Sequence, residues 1–138
     1  MNFKINKVSP IKGDASFRKF FRKKSKKGNT IIIHAKIEKA KNLLNYDSIN
    51  KILIKKKLSA PRLVSENYSK NFIEVEDFGK LTVFDFIKKK NVKKLEIYNK
   101  ILLILIKLQK IKLKKIKSFK NKFYKVPKYS RKILFEEA

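Results

Sequence analysis

The chain of 138 residues has no cysteine or tryptophan, and only three glycines and three prolines. Without cysteine, disulfide bonds and thiolate metal sites are excluded, which fits a reducing cytoplasm. Residues 1–10, MNFKINKVSP, lack the apolar segment that a secretory signal requires. The longest apolar run, Ile101 to Ile106, is far shorter than the roughly 18 residues expected of a membrane span. We therefore expect a cytoplasmic protein without a membrane span.

Acidic residues are also scarce, with 11 Asp and Glu against 38 Lys and Arg, and the formal net charge is +27. Only four of the basic residues are arginines, at positions 18, 22, 62 and 131. Surfaces that read bases usually rely on arginine, whose planar fork binds bidentately. An excess of Lys, Ile, Asn, Phe and Tyr is also what A/T-rich codons produce. The charge alone therefore predicts no dedicated nucleic-acid partner, although a small basic nucleic-acid-binding protein stays as an alternative function.

The first third of the chain has the pattern of β structure. Short apolar runs in KVSPIKGD and SFRKFFRKK precede TIIIHAK, whose consecutive isoleucines are typical of a buried strand. Gly28-Asn29 can take the positive φ of a turn. These segments predict an antiparallel meander.

The rest of the chain alternates strands and helices. A helix is expected from about Asn45 to Lys57, with Tyr46, Ile49, Ile52 and Leu53 on one face. The segments PRLVSEN and NFIEVED predict two more strands.

Three helices are then expected after Gly79. Thr82 followed by Asp85 resembles a capping box at the start of VFDFIKKK. A long helix with a wide apolar face runs from near Lys94 to Ile111, and residues 112–129 form a Lys-rich connection. A last helix is expected to begin at Ser130.

The segment GDASFRKFF, residues 13–21, is the strongest candidate for a binding loop. Gly13, Ala15 and Ser16 would let backbone N–H groups approach a phosphate closely, and Arg18 could add charge. With one glycine and no Walker pattern, an ordinary β-turn explains these residues equally well.

The segment IEVEDFG places Glu74, Glu76 and Asp77 within four residues. It could form a metal site, a linker whose backbone binds a base edge, or a solvated strand end whose acids offset nearby lysines. No carboxylate occurs between Glu96 and Glu136, so the second half offers no general base and no Mg²⁺ ligand. A complete active site cannot be assembled from these residues.

Taken together, these motifs resemble one family. GDASFRKFF is similar to the G-D-A-S-x-R-x-Y/F loop of the anomeric N-acetylmuramate/N-acetylglucosamine kinases, within the aminoglycoside phosphotransferase and choline kinase superfamily. LSAPRLVSEN, FIEVEDFGKLTVFDFI and YSRKILFEEA follow in that family's order. The likeness runs from about Val8 to Ala138.

The resemblance implies an α+β fold of the protein-kinase type. Residues 1–76 would form the N-lobe, a five-stranded antiparallel sheet plus one helix. Residues 77–80 would be the hinge, and residues 81–138 the first helices of an incomplete C-lobe. The catalytic residues of such kinases would lie beyond Ala138, so we expect the front portion of a longer enzyme that is inactive alone.

The resemblance also implies a set of nucleotide-binding residues. The loop over the ATP phosphates would be Gly13, Asp14, Ala15, Ser16 and Phe17, with Arg18 beside it. The phosphate-binding lysine would be Lys36, although the family commonly reads D-A-P at positions 34–36. Its carboxylate partner would be Glu38 or Asp47. The hinge that offers backbone groups to adenine would be Glu76, Asp77 and Phe78.

The implied function is phosphoryl transfer from ATP, with Mg²⁺, to the anomeric hydroxyl of an amino sugar in cell-wall recycling. No metal ligand is expected within this chain. The alternative acceptors are other alcohols, such as choline or an aminoglycoside.

Overall fold

A computed structural model describes residues 8–12, 18–26, 28–35, 42–89, 92–113, 115–120 and 122–126. The strands in these ranges are β1 (Val8–Ile11), β2 (Arg18–Lys23), β3 (Thr30–Ala35), β4 (Leu63–Asn67), β5 (Phe72–Glu76), β6 (Lys115–Lys117) and β7 (Phe123–Lys125). The helices are α1 (Asn42–Lys55), α2 (Val83–Ile87) and α3 (Lys94–Gln109), with a 3-10 turn at Tyr68–Lys70.

The first five strands form one antiparallel sheet in the order β1-β2-β3-β5-β4. Phe20 of β2 lies opposite Ile33 of β3, which in turn lies opposite Ile73 of β5. Between β2 and β3, Gly28 has φ +118°, a backbone conformation that residues other than glycine rarely adopt. The predicted meander, the β4–β5 pair and the α+β class are confirmed.

The hydrophobic core lies between this sheet and α1. Strand residues alternate between the two faces, so Ile33 and Ala35 point to one side together with Ile73 and Val75. Leu43 of α1 packs among them, and all five are buried. We call the face covered by α1 the inner face of the sheet and the opposite one the outer face.

The helix α1 differs from its prediction in both its start and its buried side. It begins at Asn42 and not near Asn45, because Leu43 belongs to the core. Ile49, which was expected on the apolar face, is exposed, whereas Asp47 is buried. Asp47 tolerates burial because Lys51, one turn later, lies 2.7 Å from its carboxylate.

The capping box at α2 is confirmed. The backbone N–H of Asp85 donates to the Thr82 hydroxyl at 3.1 Å, and the Asp85 carboxylate accepts from the Thr82 N–H at 3.3 Å. The helix is shorter than expected and ends at Ile87.

The long helix predicted from Lys94 is also confirmed as α3. None of its side chains is buried in the part of the chain that the structure describes, and only Ile97 and Ile101 are half-covered. The predicted wide apolar face therefore exists, and it is exposed to solvent. None of the described helices combines the length and the apolar character needed to cross a membrane.

The Lys-rich connection expected over residues 112–129 contains two short strands. Strands β6 and β7 pair as an antiparallel hairpin that contacts α1, although this stretch was expected to belong to a helical C-lobe. Phe119 between the strands packs against the core cluster and meets Tyr68 edge-to-face at 5.7 Å. The helix expected from Ser130 lies outside the described residues.

Candidate functional site

The inner face of β2 carries two arginines beside the expected hinge. Arg18 lies opposite Ala35 and Arg22 opposite Ile31, and both partners belong to the inner face of β3. Cross-strand partners point to the same side of a sheet. The two guanidinium groups therefore flank Phe20 on the side of the sheet that α1 partly covers.

Arg22 and Asp77 form a bidentate ion pair at the predicted hinge. The Nε and Nη2 atoms of Arg22 lie 2.5 and 2.9 Å from the two carboxylate oxygens of Asp77. This bidentate geometry is the strongest that an arginine and a carboxylate form. Both side chains are largely covered, with 12% of Arg22 and 4% of Asp77 exposed.

The same pair fixes the backbone that follows β5. Nη2 of Arg22 also donates to the carbonyl of Gly79 at 2.8 Å, and the Gly79 N–H donates to Asp77 at 2.8 Å. Gly79 has φ +92°, which suits glycine. Arg22, Asp77 and Gly79 form a unit that we call the hinge clamp, joining β2 to the segment between β5 and α2.

The clamp keeps its carboxylate charged. The hydrogen bond from Arg22 holds the pKa of Asp77 below its usual value near 3.8, against the opposing effect of burial. The sequence pattern drew attention to Asp77, but it did not indicate Arg22 as its partner, 55 residues earlier. The available signal was the period-two spacing of Arg18, Phe20 and Arg22.

The two other predicted hinge residues have different environments. The backbone N–H of Glu76 donates to the Arg62 carbonyl at 3.0 Å, and its carboxylate accepts from the Arg62 N–H at 3.0 Å. Because the N–H of Glu76 already donates to the Arg62 carbonyl, it is not available to an adenine. Phe78 projects outward and is 64% exposed. The N–H groups of Asp77 and Phe78 are the remaining donors of the predicted hinge.

An open cavity of about 370 Å³ adjoins this hinge. Its lining comes from residues 57–60 after α1, from Ile54 and Arg62, and from Glu76 and Phe78. None of these lining residues belongs to β1, β2 or β3. The cavity therefore lies on the α1–β4 side of the hinge, away from the arginines of β2.

Of the residues expected to contact the ATP phosphates, the structure describes only Arg18, which follows the predicted loop. Its guanidinium carbon lies 5.2 Å from the centre of the Tyr46 ring on α1, within the range of a cation–π contact. Gly13, Asp14, Ala15, Ser16, Phe17, Lys36 and Glu38 lie outside the described residues. Asp47, the other predicted partner of Lys36, is buried on α1 beside Lys51.

The acidic cluster of the IEVEDFG segment does not act as one unit. Glu74 is buried on the outer face, where it accepts hydrogen bonds from the side chains of Lys23, Thr30 and Ser65. Burial raises the pKa of Glu74, but these hydrogen bonds outweigh it and hold the pKa below its usual range. Asp77, by contrast, faces Arg22.

Among the residues that the structure describes, no group of three or more His, Asp and Glu could hold a metal ion. The metal interpretation of this segment is therefore not supported there. The described residues do not fit Mg²⁺ on their own, so no chemical step is assigned to it.

Comparison with known proteins found no matching family model, no matching curated protein and no matching solved structure.

Proposed function

We propose that this chain carries the nucleotide-binding part of an ATP-dependent small-molecule phosphotransferase, an amino-sugar kinase. The observation that carries the proposal is the hinge clamp, at the end of a five-stranded antiparallel sheet with one helix between β3 and β4. The clamp joins β2, which follows the GDASF loop, to the DFG segment after β5. It thereby links the strand that follows the loop to the segment that the family resemblance assigns to adenine.

Each group has a physical role in this proposal. Backbone N–H groups of residues 13–17 and the guanidinium of Arg18 would hold the phosphates, because dense negative charge is stabilised by oriented N–H donors and arginine. The N–H groups of Asp77 and Phe78 are the hinge donors left for the adenine edge. Arg22 would position the hinge without touching the nucleotide.

Among the described residues, Arg18 fits the role of a phosphate cation. It directly follows the loop and lies on the inner face, opposite Ala35. Phosphoryl transfer relies mainly on positioning and electrostatic stabilisation of charge. A cation at this place orients the phosphates, while the groups that activate the acceptor would come from outside residues 97–135, where no carboxylate occurs.

Nucleotide binding by the purified chain tests the proposal. We expect about 1 mM ATP to raise the melting temperature, and Arg18→Gln to weaken ATP binding about tenfold. The matched control is Lys19→Gln, which removes the same charge one residue later from an exposed side chain. Adenosine should compete with ATP, because the hinge recognises the base.

Three results would contradict the proposal or part of it. Equal losses in Arg18→Gln and Lys19→Gln would mean that ATP binds only through the overall charge. No stabilisation by ATP would remove the nucleotide site altogether. Turnover of N-acetylglucosamine or N-acetylmuramate by this chain alone would contradict the expectation that the catalytic groups lie elsewhere.

A further inference from the structure

The β6–β7 hairpin presents a face made of three lysines and one phenylalanine. In the pairing register Lys115 lies opposite Lys125, and Lys117 lies opposite Phe123. These four side chains are exposed, whereas Ile116 and Tyr124 between them are half-buried on the α1 side. We call the exposed four residues the ribbon face.

The ribbon face is electrostatically unfavourable by itself. Like charges directly opposite each other destabilise an antiparallel pair, and Lys115 and Lys125 are such a pair. Among the described residues, none of the ion pairs includes a lysine of this face. The neighbouring Lys120, which lies between the strands, does have a carboxylate partner in Glu66 at 3.0 Å. A polyanion would supply the missing compensation.

Phe123 adds a flat apolar surface to this charge. It is 63% exposed, and the Nζ atoms of Lys115 and Lys117 lie 5.2 and 5.5 Å from its ring centre. An aromatic ring with ammonium groups around it matches a stacked base with its flanking phosphates. A lipid surface would instead favour several apolar side chains on the same face, and here the other three are lysines.

A small hollow continues from the ribbon face toward α1. Its volume is about 160 Å³, and its lining includes Phe123, Lys125, Asn45 and Ser118. Ser118 is 4% exposed, and its hydroxyl has no hydrogen-bond partner among the described residues. This hydroxyl is itself covered, so the surface open to a ligand is the ribbon face.

We propose that the ribbon face binds single-stranded nucleic acid, with a base stacked on Phe123 and backbone phosphates on the three lysines. Single strands are favoured because their bases expose a π-face, whereas those of a duplex are stacked internally. Because the ribbon face contains lysines and no arginine, we expect binding that does not depend on the nucleotide sequence. This surface is separate from the hinge clamp, so the proposal does not depend on the nucleotide site.

Fluorescence anisotropy with labelled oligothymidylate of about 12 nucleotides tests the proposal. We expect Phe123→Ala to weaken binding at least about fivefold, the lower end for losing one base–aromatic stack. The substitution affects an exposed side chain, and circular dichroism checks that the fold is retained. Unchanged affinity in Phe123→Ala would overturn the stacking model.

Two triple variants separate the ribbon face from the general charge of the chain. The first replaces Lys115, Lys117 and Lys125 by glutamine, and the second replaces the exposed Lys94, Lys100 and Lys107 of α3. Between about 50 and 200 mM salt, loss of three phosphate contacts should flatten the salt slope of the first variant by about 2. The α3 variant should stay close to the unmodified chain. Equal weakening in both would show binding to charge alone and would refute the proposal.

Two competitors complete the test. A duplex of equal length should bind more weakly than the single strand. Vesicles of phosphatidylserine and phosphatidylcholine should not displace the oligonucleotide. Preference for the duplex, or displacement by vesicles that is lost in Phe123→Ala, would assign the ribbon face to another partner and overturn the proposal.

Discussion

Replacing Ile33 by alanine probes the contact between the sheet and α1. Ile33 has 0% exposure and packs with Leu43 and Ile73 at the centre of the core. The substitution removes three carbon atoms, which corresponds to about 2.4 kcal/mol at about 0.8 kcal/mol for each buried methylene. The cavity left behind adds to this, so we expect a total loss of about 2–5 kcal/mol. That is a large part of the stability of an ordinary domain.

The control uses the same substitution at an exposed isoleucine. Ile104 on α3 is 48% exposed, so Ile104→Ala should change the free energy of unfolding by less than about 0.5 kcal/mol. Urea denaturation followed by circular dichroism measures both variants, with equal slopes required for the comparison. A loss below about 1 kcal/mol for Ile33→Ala would refute the proposed core. A loss at Ile104 as large as that at Ile33 would mean that α3 is packed in solution.

Three further perturbations test local features. Lys57, directly after α1, has φ +57°, a conformation that favours glycine. Lys57→Gly should therefore stabilise the fold by about 1 kcal/mol in urea denaturation, whereas Lys56→Gly should destabilise it. Stabilisation by both substitutions would contradict this explanation. Asp77→Asn should lower the free energy of unfolding above about pH 4, and the loss should shrink in more acidic solution. The pKa of Asp77 is lowered in the folded chain, so its stabilising charge is lost only as pH falls through that pKa. In urea titrations, a loss of stability that grows toward pH 3 would contradict this reasoning. Phe119→Ala should cost about 1–3 kcal/mol and expose the amides of β6 and β7 to hydrogen exchange, and unchanged protection would show that the hairpin does not depend on this anchor.

The sheet was predictable because its strands carry strong local signals. Three consecutive isoleucines define β3, and Gly28 marks the turn before it. The capping box at Thr82 was equally clear, because it depends on two residues three positions apart. In each of these cases, the information lies within a few neighbouring positions of the chain.

The parts that were missed depend on contacts between distant residues. Asp47 is buried on α1 beside Lys51, whereas the apolar Ile49 is exposed, and the spacing of apolar residues predicts the opposite arrangement. In the hairpin, Ile116 and Tyr124 alternate with lysines, and the high lysine content of this stretch indicated only a Lys-rich connection. Its docking through Phe119 depends on Tyr68, far away in sequence.

The candidate site was predicted only in outline. The resemblance assigns Asp77 to the hinge for its backbone groups, whereas in the structure its side chain binds Arg22 in the clamp. Its position beside the loop predicts a role for Arg18, but no local pattern predicts the contact of Arg22 with Asp77. Ion-pair partners in neighbouring strands depend on the register of the sheet, which the spacing of residues only partly reveals.

The exposed apolar surface of α3 affects the association of separate molecules in solution. Leucine and isoleucine side chains open to water attract one another, while a net charge of +27 keeps separate molecules apart. In dilute buffer the repulsion acts over tens of ångströms, but at about 1 M salt it is screened within about 3 Å. Colloidal stability should therefore fall as salt is added, and light scattering should record association at ionic strengths that keep many proteins dispersed.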